Sequence, residues 1–285
     1  MTDQTAPLQN LSSWAILWAT LLCFIFGANT VAIKISLSGL GVFTTAGIRF
    51  GMAALIILAW AIATNQPLKI KKDQIHQLLL ITIIFVVQLS LFYMGISKTH
   101  ASRGTLLANI QPFFVLFLAH FFIPGDRITV RKSVGIIMAF TGVAFVLLDK
   151  SGVTSDLKMG DLIILAAAFV WACNGVYTKR LLAEMQPYQV VLYPTLFSAP
   201  FFFLGAFLSD EIMVSRLDPE IILAVLYQGL IATSFGFVAW NTLLQKYGAV
   251  SMHSFIFIMP IAGVLLGGLV LNEPITLNIV VALLL

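Results

Sequence analysis

The apolar residues of this chain occur in long uninterrupted runs, and this pattern restricts its possible folds more than any other feature. Most runs reach about 20 residues, which as a helix rising ~1.5 Å per residue would cross ~30 Å of hydrocarbon. Of the 285 residues, 60% are hydrophobic and 10% are charged, whereas roughly a quarter of an ordinary soluble domain is charged. Barrel strands would alternate polar and apolar residues, and no such alternation occurs. The sequence therefore predicts an all-α integral membrane protein.

Ten apolar segments predict ten transmembrane helices. The predicted spans are 14–33, 42–64, 75–97, 105–123, 133–148, 161–181, 190–208, 221–244, 250–271 and one that begins at 275. The last segment would reach only ~17 Å as a helix, which is too short for a bilayer. We therefore expect the tenth helix to be truncated.

Basic residues between the predicted spans indicate the orientation. With the N-terminus in the cytoplasm, more lysines and arginines face the cytoplasm than the exterior, as the positive-inside rule requires. These residues stand singly or in short clusters, so they serve topology and do not indicate nucleic-acid binding. The sequence predicts a multi-pass protein with both termini in the cytoplasm.

The two halves of the chain share a sequence pattern. FIFGANTVAIKISL aligns with FVWACNGVYTKRLL, which pairs Asn29 with Asn174. KTHASRGTLLANIQP aligns with KYGAVSMHSFIFIMP, which pairs Pro112 with Pro260, and GDRIT then parallels NEPIT. The first alignment relates span one to span six and the second relates span four to span nine, so each half holds five helices.

An odd number of helices in each half inverts the second copy relative to the membrane. We predict a first repeat over residues 1–150 and an inverted second repeat over residues 151–285, with an incomplete last helix. Inverted repeats are a recurring plan of secondary transporters, whose substrate sites lie near the membrane midplane between the repeats. The repeat therefore indicates a transporter, with Asn29 and Asn174 near a shared pseudo-two-fold axis.

Several short motifs follow one another in a fixed order. They are a Phe/Trp-Gly/Ala-x-Asn pattern ending in lysine in spans one and six, Arg-Phe in span two, an alanine-to-proline stretch in spans four and nine, and an acid after each stretch (Phe26, Gly27, Asn29, Lys34, Arg49, Phe50, Asp126, Trp171, Ala172, Asn174, Lys179, Glu273). Over nearly its whole length the chain resembles the drug/metabolite transporter superfamily, in particular its ten-helix EamA-type exporters. The resemblance implies export or exchange of metabolites such as amino acids through a central cavity formed mainly by spans one, three, four, six, eight and nine. It also implies a bacterial inner membrane.

Polar and aromatic side chains in the cavity helices are the candidate substrate-binding residues. A polar group at membrane depth is costly, so each one needs a partner or a role. For the amides, interhelical hydrogen bonds that only hold the bundle together are the alternative, whereas Tyr93, Trp171 and Trp240 would form aromatic walls for an amphipathic or cationic substrate. The candidate set is Asn29, Arg49, Gln88, Tyr93, Trp171, Asn174, Trp240, Asn241 and His253.

Arg49 stands among apolar residues of span two. An arginine at this depth must reach the membrane surface, pair with another group or face water. Two interpretations stay open: snorkelling or a structural hydrogen bond, and attraction of a substrate carboxylate.

Pro112 and Pro260 occupy equivalent positions of the predicted repeats. Each removes one helical hydrogen bond, which would leave the carbonyls of Ala108 and Ile256 without their usual partners. We predict that the prolines act in gating, by shaping the cavity and permitting the halves to rock. The alternative is a tolerated kink with no role.

No predicted span interior contains aspartate or glutamate, and Asp161 lies at the edge of span six. A proton-coupled transporter usually carries its proton on such a group, and only histidines such as His120 and His253 remain. The sequence therefore favours facilitated diffusion or exchange over proton antiport.

The sequence also lacks the motifs of an intramembrane enzyme. It contains no His-Glu-x-x-His, no Gly-x-Ser-x-Gly and no aspartate pair within the spans, which are typical sources of metal ligands or nucleophiles. We therefore expect a non-enzymatic monomer in the lipid bilayer, with a small-molecule substrate and no cofactor, metal or nucleic acid. A flippase for lipids or lipid-linked compounds on the same fold is the alternative function.

Overall fold

Helices make up nearly all of the chain that the computed structural model describes, which comprises residues 12–122, 130–148, 155–247, 252 and 255–284. The helices are α1 (Ser13–Leu37), α2 (Val42–Ala63), α3 (Lys72–Lys98), α4 (Ala101–Ala108), α5 (Gln111–Phe122), α6 (Val130–Leu148), α7 (Ser155–Leu181), α8 (Pro187–Ser209), α9 (Pro219–Tyr247), α10 (Ile258–Leu271) and α11 (Leu277–Leu284). Within α9, the segment Tyr227–Phe237 is π-helical. The described ranges contain no strand beyond an isolated bridge between Leu40 and Val214, so the all-α prediction is confirmed there.

Six of the described helices are long and apolar enough to cross a membrane. They are α1, α2, α3, α7, α8 and α9, with mean hydropathies from 1.7 to 2.4. Large apolar side chains such as Phe207 and Leu208 in α8 are exposed, an arrangement suited to hydrocarbon rather than water. The described helices thus support a multi-pass membrane protein. Only six of them meet the length and hydropathy of a membrane span, so they do not reproduce the predicted ten spans.

The predicted fourth span is divided into two helices. α4 and α5 are separated at Asn109 and Ile110, where the N–H groups of Phe113 and Phe114 donate to the carbonyl oxygen of Ile110 at 3.0 and 3.3 Å. Pro112 therefore lies in the first turn of α5, where its missing N–H would have had no helical partner. The chain restarts a helix at this proline and does not kink a continuous one.

In the described part of the ninth predicted span, residues 255–257 form a turn before the helix. α10 begins at Ile258, and Pro260 lies in its first turn. The carbonyl oxygen of Ile256 accepts a hydrogen bond from the N–H of Met259 at 2.9 Å. This carbonyl therefore has a partner other than the usual helical one, because a tight turn supplies the bond that Pro260 cannot make.

Glycines allow helices from the two halves of the chain to approach closely. A Cβ atom on Gly27 of α1 would lie 2.5 Å from the carbonyl oxygen of Met259 and 2.6 Å from Cβ of Ala262, at the contact with α10. Between α3 and α7, a Cβ atom on Gly160 would lie 2.9 Å from the carbonyl oxygen of Gly95. Small residues commonly permit such contacts between membrane helices. These contacts hold α1, α3, α7 and α10 around the polar interior.

Candidate functional site

Arg49 of α2 points into the bundle. Its side chain is buried, with the residue only 2% exposed. Its Nε atom donates to the hydroxyl of Thr233 at 2.7 Å and its Nη1 atom donates to the hydroxyl of Tyr93 at 3.1 Å. The side chain therefore does not snorkel to the membrane surface in this conformation, and it makes hydrogen bonds within the bundle.

A chain of neutral hydrogen bonds extends from Arg49 across the helix interface. The hydroxyl of Tyr93 donates to Oε1 of Gln228 at 3.0 Å. The amide nitrogen of Gln228 donates to the hydroxyl of Ser36 at 2.6 Å and to the carbonyl oxygen of Ala32 at 3.2 Å. The Arg49 network, defined as Arg49, Tyr93, Thr233, Gln228 and Ser36, thus joins α1, α2, α3 and α9.

The sequence analysis overlooked Gln228 and Thr233. Both are completely buried and both lie in the π-helical segment of α9. Their polarity within an apolar run was a usable signal, because such residues in membrane helices are expensive and tend to be functional. The π-helix itself, a feature frequent at functional sites, is a hydrogen-bond pattern that apolar periodicity does not reveal.

Aromatic rings cover the guanidinium group of Arg49. Its Cζ atom lies 4.8 Å from the ring centroid of Phe50 and 5.8 Å from that of Phe237. Rings within about 6 Å attract a cation through their negative faces. They also exclude water, which strengthens electrostatic interactions at this place.

The two predicted tryptophans each pack on a phenylalanine ring. Trp171 packs edge-on against Phe92 at a centroid distance of 6.1 Å, and Trp240 packs edge-on against Phe26 at 6.0 Å. Phe26 in turn contacts Phe237 at 5.8 Å. Both tryptophans are partly buried.

Four buried amide atoms in the described residues have no hydrogen-bond partner. They are Oδ1 of Asn29, Oε1 of Gln88, Oδ1 of Asn109 and Nδ2 of Asn174, which belong to α1, α3, the α4–α5 break and α7. An unpaired buried polar atom costs about 1–3 kcal/mol. These atoms are therefore suited to binding water or a polar ligand between the helices.

Asn241 differs from these amides, because its nitrogen donates to the carbonyl oxygen of Phe237 in its own helix at 2.9 Å. Its remaining oxygen could still accept a hydrogen bond from a ligand. His253 lies outside the described residues. Of the predicted binding residues, the structure brings Arg49 and Tyr93 into direct contact.

A cavity of about 90 Å³ lies at the two helix breaks. Its wall includes Asn109 and Ile110 at the α4–α5 break, Phe257 and Pro260 at the start of α10, and residues of α6 and α11. This volume would hold about three water molecules. Pro260, but not Pro112, is among the lining residues.

Asp161 is fully buried, which corrects its interpretation as an edge residue. Its carboxylate accepts hydrogen bonds from the Thr99 hydroxyl at 2.6 Å and from Nε of Arg103 at 3.2 Å. Arg103 falls between the third and fourth predicted spans, but it lies in α4, which begins earlier than the fourth predicted span. The pair joins α4 to α7, and it was missed because apolar runs alone place helix ends poorly.

Glu273 connects the end of α10 to the start of α4. Its carboxylate accepts hydrogen bonds from the N–H of Ala101 at 2.6 Å and from the N–H and hydroxyl of Ser102 at 2.9 and 2.7 Å. A carboxylate is favoured at a helix N-terminus because the free N–H groups carry partial positive charge. Asp161 and Glu273 are therefore both engaged by donors in this conformation, and neither is a free carboxylate facing a cavity.

The comparisons with known proteins agree with one another. The chain matches the family model described as "EamA-like transporter family" over residues 13–148 and 158–285. It is 28% identical over 269 residues to a protein of Escherichia coli (strain K12) named "Probable amino-acid metabolite efflux pump", covering 90% of this chain and 87% of that protein. It is 22% identical to an uncharacterized transporter of Bacillus subtilis (strain 168), covering 92% and 90% of the two chains.

A solved crystal structure shares the fold. It superposes with a TM-score of 0.72 at 17% sequence identity, and the match covers 95% of this chain and 93% of the other. At this level of identity the likeness concerns the fold alone.

Proposed function

Because this chain belongs to the EamA-like transporter family, we propose that it moves small metabolites across a membrane by alternating access, as an exporter, facilitator or exchanger. Amino acids or similar amphipathic compounds are the proposed substrates, and the printed name of the Escherichia coli relative supports this choice. The proposed location is a bacterial inner membrane, with the N-terminus in the cytoplasm and no enzymatic activity.

The observation that carries the proposal is the set of unpaired amide atoms in the interior. Asn29, Gln88 and Asn174 present unpaired donors or acceptors from α1, α3 and α7, three of the helices that the resemblance assigns to a cavity. A purely structural bundle would pair these groups, because burying them unpaired is unfavourable. A substrate with both polar and apolar parts would satisfy them and pack on Trp171 and Trp240.

The proposed architecture is two inverted five-helix repeats, 1–150 and 151–285. Reciprocal packing supports it: α3 packs on α7 as α9 packs on α1, and α10 packs on α1 as α4 and α5 pack on α7. Exchanging the two repeats converts the α3–α7 contact into the α9–α1 contact. It likewise converts the α10–α1 contact into the contacts of α4 and α5 with α7. In this arrangement a rocking motion of the halves alternates access to the interior.

Transport by the purified full-length chain in proteoliposomes tests the proposal. Radiolabelled amino acids and other metabolites are offered singly, with protein-free liposomes as the control. We expect at least one amphipathic metabolite to accumulate faster than in the control and to saturate with concentration. The flippase would be favoured if no compound in a panel with all common amino acids were taken up and a fluorescent phospholipid were translocated. No observation on the described residues favours the flippase.

A further inference from the structure

We propose that Arg49 is the anchor for a carboxylate of the transported compound, which restricts the substrates to compounds that carry at least one carboxylate. This inference rests on the proposed transport function and names the substrate chemistry of the same site. The Arg49 network supplies the surrounding contacts.

The charge of Arg49 has no counter-charge in the part of the chain that is described. Its hydrogen-bond partners are the hydroxyls of Thr233 and Tyr93, and no described carboxylate forms an ion pair with it. Arg103, which is also buried, does have a carboxylate partner in Asp161. A buried cation is strongly unfavourable unless an anion compensates it, so Arg49 is the place in this interior where an anion is needed.

The guanidinium group also has unused capacity. Its Nη2 atom donates no hydrogen bond to a described residue, while Nε and Nη1 each hold one hydroxyl. Guanidinium binds a carboxylate through two parallel N–H···O bonds, and these charge-assisted bonds are roughly twice as strong as neutral ones. The Thr233 hydroxyl can also donate its proton to the same carboxylate, whereas the proton of the Tyr93 hydroxyl is already donated to Oε1 of Gln228.

A merely structural role does not require a positive charge at this position. Hydrogen bonds to Tyr93 and Thr233 could be provided by a neutral glutamine, without the cost of burying a cation. The aromatic cover of Phe50 and Phe237 contributes attraction to the cation, but much less than an ion pair in a water-free site. The retained charge therefore points to an anionic group that visits the site.

The anchor is closed in this conformation, because Arg49 is 2% exposed. Thr233 and Phe237 of α9 cover the guanidinium group from the second half of the chain. A carboxylate can reach Arg49 only when α9 moves away from α2. Alternating access requires a movement of this kind between the halves, so binding and opening use the same contact.

The test compares an amino acid with its uncharged-end analogue, for example phenylalanine and phenylalanine amide, in proteoliposomes of the full-length chain. Wild-type protein should take up the acid and discriminate against the amide by at least about tenfold, since a charged hydrogen-bond partner is lost. Arg49→Gln should lower uptake of the acid by about ten- to hundredfold while leaving the slow uptake of the amide within about twofold. Arg49→Lys, which keeps the charge without the planar fork, should recover part of the acid uptake.

Arg216→Gln is the matched control. Arg216 is exposed and pairs with Asp218 at 3.3 Å, so removing its charge should leave both uptake rates unchanged. Equal loss of acid and amide uptake in Arg49→Gln would show that Arg49 is only structural. If Arg49→Gln fails to fold, competition on the wild-type protein decides: acids should inhibit uptake and matched amides should not.

The outcomes separate this inference from the proposed function. Transport of acids and amides at equal rates by the wild-type protein would overturn the anchor and leave the transporter intact. Absence of any transport would overturn the proposed function itself.

Discussion

At the scale of residues, the buried charged groups have different kinds of partner. Asp161 is paired with Arg103 and Thr99, and Glu273 accepts backbone N–H groups at the start of α4. Arg49 has only neutral partners among the described residues. Asp161 and Glu273 join helices through these contacts, whereas Arg49 is the proposed carboxylate anchor.

Asp161→Asn should destabilise the protein strongly, because it removes the carboxylate that pairs with the buried cation of Arg103. Loss of one member of a buried pair costs about 3–5 kcal/mol, which should appear as a lower thermal unfolding midpoint in detergent. The double variant Asp161→Asn with Arg103→Gln should recover part of this loss. Asp218→Asn is the control, because it breaks an exposed pair and should change the midpoint little. If Asp161→Asn and Asp218→Asn lowered the midpoint equally, the buried pair would not be important for stability.

At the scale of elements, close helix contacts depend on glycines at particular positions. Gly27→Ala would bring a Cβ atom to 2.5 Å from the carbonyl oxygen of Met259, so α1 and α10 must separate. We expect a loss of about 1–3 kcal/mol in stability from this overpacking, measured as a lower unfolding midpoint. Gly51→Ala is the control, since its new Cβ would meet Ala199 at an ordinary 3.7 Å. Equal midpoints for the two variants would contradict the packing of α1 on α10.

The prolines at the two helix breaks should matter for movement more than for insertion. Pro112→Ala and Pro260→Ala restore the N–H that a continuous helix needs, which should stiffen the breaks. We predict that initial transport rates fall several-fold per inserted molecule, while the amount inserted into the membrane stays near the wild-type level.

Pro200→Ala in α8 is the matched control for these substitutions. Pro200 lies inside α8 and is exposed, away from both breaks, so its replacement should leave transport per molecule unchanged. If expression and transport fell in parallel in the Pro112 and Pro260 variants, the prolines would serve folding rather than gating.

The sequence predicted the helices better than their interruptions. Apolar runs locate a helix because burial in lipid requires them, which placed α1, α2, α3 and α8 within a few residues. In contrast, α7 begins at Ser155, well before the predicted start at 161. The break at Asn109 and the π-helical segment of α9 are local hydrogen-bond choices that leave hydropathy unchanged. Arg49 and Tyr93 could be selected from the sequence as polar groups in apolar runs. The contact of Arg49 with Thr233, on a helix distant in sequence, required the folded structure.

At the scale of the whole molecule, the engaged state of the buried carboxylates bears on energy coupling. A proton carrier must gain and lose a proton within the transport path, but Asp161 and Glu273 are held by their donors in this conformation. We therefore predict that an imposed pH gradient produces no uphill accumulation of substrate. Accumulation that His253→Ala or His120→Ala abolishes, with downhill transport intact, would make that histidine the coupling site.

Counterflow in proteoliposomes tests alternating access through the polar interior most directly. Vesicles that contain the full-length chain are loaded with unlabelled substrate and diluted into a trace of labelled substrate. We predict that the internal substrate accelerates entry of the label and produces a transient overshoot, because each loaded carrier returns with substrate bound. Label entry that is indifferent to internal substrate would contradict alternating access.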